Sequence, residues 1–193
     1  MKDFFKSDLF LQVACVLGGQ LARTGLGFLS IIMVARLLTV ADFGLFSIFM
    51  ATIAVGVEIT GKSLDWALVR FASEHIEKAK DKAYRYFKSV FKMRIVVATL
   101  FLILGMLLAD FIANTIFQHP EYKNPIFYAC MGTIWMSLWW FSLAVIQTKE
   151  KFLLHGIINV SNGLVKLAAV AVLFFFNIKE LEPMLQAHVV VFF

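Results

Sequence analysis

The stretch Leu17–Leu38, LGGQLARTGLGFLSIIMVARLL, is apolar enough for a helix in hydrocarbon, yet it carries an arginine, Arg23, within it. A charge at that depth costs at least about 2.5–3.5 kcal/mol even on the lenient insertion scale, so its side chain needs a cavity or a partner. At 3.6 residues per turn, Gln12, Gly19, Gln20, Gly27 and Ser30 share the helix face that carries Arg23. The polar residues therefore form one stripe, and a stripe marks a surface that meets protein or water rather than lipid.

Composition carries the bilayer reading to the whole chain. Hydrophobic residues make up 61% and charged residues 16%, far from the rough half and quarter of a soluble domain. The 193 residues supply about six spans, because a hydrocarbon core of about 30 Å takes about 20 apolar residues per helix. Cys15 and Cys130 both fall inside apolar segments and read as small buried hydrophobes rather than a disulfide framework. The first apolar run is too long for a signal-peptide core and has no small-residue cleavage site followed by soluble sequence.

Apolar periodicity predicts helix one at residues 9–38, helix two at 43–60, helix three at 92–113, helix four at 125–147 and helix five at 152–177. A sixth begins near Pro183, and its run MLQAHVVVFF holds about half the residues of a span. The expected fold is an all-α integral membrane bundle of about six transmembrane helices, the sixth incomplete. Residues 1–193 then read as one N-terminal transmembrane lobe truncated within helix six, with a re-entrant or interfacial end as the alternative.

Lysines and arginines set the orientation. Thirteen of the 18 lie before helix one, between helices two and three together with Lys92 and Arg94 at the start of helix three, or after helix four, whereas Arg36, Lys123 and Lys179 alone occupy the other side. Cytoplasmic loops carry the excess, so the N-terminus is expected in the cytoplasm of a multi-pass protein of the inner (cytoplasmic) membrane. The net charge of +5 thus follows from topology and gives no reason to expect a nucleic-acid partner.

Residues 61–91 form a basic, amphipathic cytoplasmic connection. Trp66, Val69, Ser73, Ile76, Ala79, Ala83, Phe87 and Val90 recur every three or four residues, with Lys78, Lys80, Lys82, Arg85 and Lys88 among the remainder. Such a helix suits anionic head groups at the membrane surface, and an ordinary solvated helix fits the same pattern.

Helix five repeats the design of helix one. His155, Asn159, Asn162 and Lys166 are spaced four, three and four, which places them on one face with Gly163 beside Lys166. Glu58, with Asp65 about two turns on, is the acidic group expected near membrane depth. Either Arg23, Gln20, Lys166, Asn159 and Asn162 line a hydrated cationic cavity suited to a phosphate or pyrophosphate, or Glu58 pairs with Arg23 or Lys166 and only fixes packing. Helix three, MRIVVATLFLILGMLLAD, shows no polar stripe and reads as lipid-facing. The cluster of Trp135, Trp139 and Trp140 reads as packing or interfacial anchoring ahead of a sugar platform.

Soluble-enzyme signatures are absent from the sequence: no Walker glycine loop, no HExxH, no GxSxG and no CxxC. No enzymatic activity, cofactor or metal is therefore expected, and transport would draw on an ion gradient, the membrane potential or a downstream partner.

Two further stretches, ARLLTVADFGLFSIFMA at residues 35–51 and LDWALVRFASEH at 64–75, resemble the N-terminal portion of polysaccharide and O-antigen flippases. These belong to the multidrug, oligosaccharidyl-lipid and polysaccharide exporter superfamily. The resemblance implies a lobe of six helices, a similar second lobe missing from this chain, and a lipid-linked oligosaccharide that crosses between them by alternating access. It also implies that Arg23 and Lys166 hold the carrier phosphate. Within the first motif Arg36, Asp42 and Gly44 have a structural reading, Asp42 capping helix two and Gly44 admitting a neighbouring helix. Drug exporters of the superfamily use an acidic residue in helix one, which has no counterpart here beyond Asp8. A cation-coupled multidrug antiporter and a non-transporting structural subunit are the alternatives.

Overall fold

The computed structural model describes residues 8–76, 79–116 and 122–191. Lys2, Lys6 and Lys78, counted above for orientation, and the final Phe192 and Phe193 lie outside the described residues. Among the described residues there are seven α-helices and no strand: α1 (Asp8–Leu37), α2 (Val40–Val57), α3 (Ser63–Ile76), α4 (Lys80–Phe111), α5 (Lys123–Thr148), α6 (Phe152–Phe175) and α7 (Leu181–Val191). Five stretches are long and apolar enough to cross a membrane, namely Gln12–Leu37, Val40–Ile76, Lys80–Thr115, Lys123–Thr148 and Phe152–Phe175. With the shorter α7, they make the all-α integral membrane bundle that periodicity predicts.

Local chemistry sets the helix ends. Thr39 caps α2: its Oγ1 accepts the Asp42 N–H at 3.2 Å, and its hydroxyl donates to Asp42 Oδ2 at 2.6 Å. The cap expected at Asp42 therefore belongs to Thr39, and Asp42 sits in the first turn, where a carboxylate suits the positive helix end. Glu150 and Asn177 adopt left-handed φ values of 55° and 52° just past α5 and α6. There the Lys151 N–H reaches Ile146 O at 3.3 Å and the Ile178 N–H reaches Leu173 O at 3.1 Å, closing each helix by a Schellman motif.

Helix two starts earlier than predicted and ends at a kink. A π-helical turn at Glu58–Lys62 interrupts the apolar span, and within it Gly61 has φ 114° and ψ 29°, a conformation natural to glycine alone. Beyond this kink the chain continues as α3. The connection at 61–91 is consequently not one surface helix: its described residues hold α3 and the first turns of α4, which starts at Lys80 rather than near Lys92. The apolar faces explain the difference: Val69, Phe87 and Val90 pack on Leu68, Ala72 and Ala144, so both segments spend those faces on each other and on α5.

The longest contact in the bundle runs between α1 and α6, which lie parallel. A Cβ on Gly19 would meet Gly156 Cα at 2.7 Å, and a Cβ on Gly156 would meet Cys15 O at 2.7 Å. Further along, a Cβ on Gly163 would lie 3.1 Å from Arg23 Cα. Small residues let the two backbones touch, which is how apolar helices associate where lipid competes with side-chain packing. Toward the other end of α1, Val34, Leu37 and Leu38 join Phe46, Phe49 and Ile53 of α2 in an apolar core that also takes in Val170, Met184 and Leu185. Helix α4 exposes Val96, Leu100, Ile103, Leu104, Leu107 and Phe111, as a lipid-facing helix should, but it is not apolar all round: Arg94 is fully buried.

Candidate functional site

Two of the cavities along α1 take in the predicted site residues. The first, of about 180 Å³, is lined by Arg23, Thr24 and Gly27 of α1, Met50 of α2, Met136 of α5, and Asn162, Gly163 and Lys166 of α6. Gly163 admits α1 so closely that Arg23 and Lys166, on different helices, reach the same space. The Arg23 Nε donates to Asn162 Oδ1 at 3.3 Å, its Nη2 meets Met136 Sδ at 4.0 Å, and its guanidinium carbon stands 5.1 Å from the centre of the Trp140 ring. No carboxylate is among the described lining residues. Two cations in a partly enclosed, low-dielectric space attract an anion, and the planar guanidinium suits paired oxygens of phosphate or carboxylate.

The second cavity, of about 360 Å³, lies toward the start of α1 and is lined by Val16, Leu17 and Gln20, by Lys62, Asp65 and Trp66 around the kink, by Trp140, Leu143, Ala144 and Gln147 of α5, and by His155 of α6. The Lys62 Nζ stands 5.0 Å from the Trp140 ring centre and 2.8 Å from Glu58 Oε1. Trp140 thus meets a cation from each cavity, a favourable use of its negative ring faces.

The five residues predicted to share one cavity divide. Arg23, Asn162 and Lys166 come together, whereas Gln20 opens into the larger cavity. Asn159 faces neither. It is fully buried one turn past Gly156, where the α1 backbone presses closest, and its Nδ2 donates to His155 O at 3.0 Å. Glu58 pairs with Lys62, one turn along and exposed, and with neither Arg23 nor Lys166. Arg36 and Gly44 are exposed, and a Cβ on Gly44 meets nothing within 4 Å, so the close helix approach expected there does not occur among the described residues. Trp135 packs on the apolar core as expected, while Trp140 faces the cations.

The buried ion pair is elsewhere, and sequence reasoning missed it. Arg94, counted above for orientation, donates to Asp65 Oδ1, to Gly61 O at 2.8 Å, to Ser137 O and to Ser137 Oγ at 3.1 Å. One side chain on α4 thereby holds the carbonyl freed at the kink, the first turn of α3 and the middle of α5. The signal available in the sequence was faint: an arginine abutting the apolar run IVVATLFLIL, with an aspartate just beyond a glycine in the preceding span.

Apolar spans enclosing a cationic cavity define a multi-pass α-helical membrane protein. A family model described as polysaccharide biosynthesis protein matches residues 11–191, and the chain belongs to that family, as its resemblance to polysaccharide and O-antigen flippases implies. Neither a curated protein nor a solved structure gives a significant match.

Proposed function

We propose that the chain forms one lobe of a transporter, not an enzyme, that flips a lipid-linked oligosaccharide across the cytoplasmic membrane by alternating access against a second lobe. The cationic cavity supports this reading most directly: Arg23 and Lys166, from two helices, line it beside Asn162 with no described carboxylate among the lining residues. The anionic carrier phosphate is the group that such a cavity recognises, and the N-terminus lies on the cytoplasmic side where that carrier is loaded. A cation-coupled drug antiporter calls for a carboxylate in the same space.

The test replaces Arg23 in the full-length protein and reads surface polysaccharide in cells that lack their own flippase, with protein level measured in the same membranes. Arg23→Gln should abolish polymer while the protein still inserts, since losing a mid-membrane charge eases insertion. Arg23→Lys should rescue in part, keeping the charge but losing the paired donors. Normal polymer with Arg23→Gln removes Arg23 from the mechanism.

A further inference from the structure

The larger cavity has a chemistry unlike that of its cationic neighbour. Its charged groups are matched nearby, Lys62 by Glu58 and Asp65 by Arg94. What remains is polar and uncharged or aromatic: the amides of Gln20 and Gln147, the His155 ring, and the Trp66 indole, which is 74% exposed. Asp65 is 8% exposed; its Oδ1 receives Arg94, while its buried Oδ2 has no hydrogen-bond partner among the described residues. With Arg94 balancing its charge and Oδ2 closed off from the cavity, Asp65 is part of the wall and offers no free carboxylate to a ligand.

The two cavities are also contiguous in register. Gln20 precedes Arg23 by one helical turn, about 5–6 Å on a helix surface, and Trp140 walls the larger cavity while carrying Arg23 on its ring. A ligand whose anionic group sits at Arg23 and Lys166 would therefore place the next part of its body against Gln20 and Trp66.

We infer that the larger cavity is a saccharide subsite, which receives the sugar ring attached to the phosphate held next door. The two glutamine amides exchange hydrogen bonds with ring oxygens and hydroxyls, and the apolar face of the pyranose lies on Trp66. This inference rests on the proposed phosphate site.

The test uses the full-length protein in amphipol, free of glycosidic detergent, and compares inorganic phosphate with glucose 1-phosphate and N-acetylglucosamine 1-phosphate by titration calorimetry. At least one sugar phosphate should bind about tenfold more tightly than phosphate, equivalent to about 1.4 kcal/mol. Trp66→Ala and Gln147→Ala should each erase most of that gain and leave phosphate affinity unchanged; both positions tolerate truncation because Trp66 is exposed and Gln147 borders the cavity. Equal affinities for all three ligands, or a gain that survives both substitutions, overturn the subsite. Phosphate affinity unaffected by Arg23→Gln removes the phosphate site and the subsite with it, whereas phosphate binding that falls with Arg23→Gln but shows no sugar gain overturns the subsite alone.

Discussion

Arg94→Met removes a single side chain and leaves three elements without their common donor. The guanidinium is completely buried and the Asp65 side chain is 11% exposed, so the substitution strands a carboxylate, the Gly61 carbonyl and the Ser137 carbonyl where water reaches them poorly. Breaking a buried pair from one side costs about 3–5 kcal/mol. At about 2–4 °C per kcal/mol for a chain of this size, the melting temperature should fall by about 10 °C. Most of that cost belongs to the abandoned carboxylate, so Asp65→Leu combined with Arg94→Met should recover about half of the loss, while the two stranded carbonyls prevent full recovery. Arg94→Lys should fall between native and Arg94→Met, because an ammonium offers its donors from one point and cannot span Asp65 and Ser137 together. The assay is thermal melting of the detergent-purified protein followed by fluorescence-detected size exclusion. An Arg94→Met protein melting within about 2 °C of the native one, or a double variant no more stable than the single, would refute the clamp.

Gly19→Ala sets a methyl 2.7 Å from Gly156 Cα, backbone against backbone, and should cost about 1–3 kcal/mol in the same melt, whereas Gly25→Ala, with nothing within 4 Å, is the tolerated control. Equal melting of the two variants contradicts the close α1–α6 packing. Gly61→Ala forces a side chain onto φ 114° and should cost about 1–3 kcal/mol. Gly44→Ala, in a helix with open space around it, should gain up to about 1 kcal/mol, and a loss there would mean that the position has a neighbour after all.

The bundle was legible in the sequence because lipid imposes a long apolar period: helices one, four and five formed within a few residues of their predicted bounds, while helix three began about three turns earlier than its apolar run. Arg23, Asn162 and Lys166 were legible for a related reason: a polar group in such a run must turn inward, and helical spacing says which others turn with it. Pairing was not legible. Asp65 and Arg94 lie 29 residues apart on two different helices, and nothing local to either names the other. The same holds for Glu58, which took the nearest lysine instead of a distant cation, and for Asn159, whose face was correct but whose exposure was decided by a glycine on another helix. The kink escaped because an apolar period passes straight through it. Gly61 is one of 11 glycines, and only its neighbours in space make its torsion necessary.

The seam between α1 and α6 has a mechanical meaning. Glycine contacts lock these two helices into a single beam. That beam is fastened at one end, where Val34, Leu37, Leu38 and Val170 enter the common apolar core, and both cavities lie along the rest of its length. What Arg23 reaches across the gap is soft, a thioether and the face of an indole, and the Asp65–Arg94 clamp lies wholly on the opposite side. At its other end the beam is joined to α5 through the short turn at residues 149–151. Widening the space around Arg23 and Lys166 would therefore strain soft contacts with Met136 and Trp140 and leave the Asp65–Arg94 pair intact.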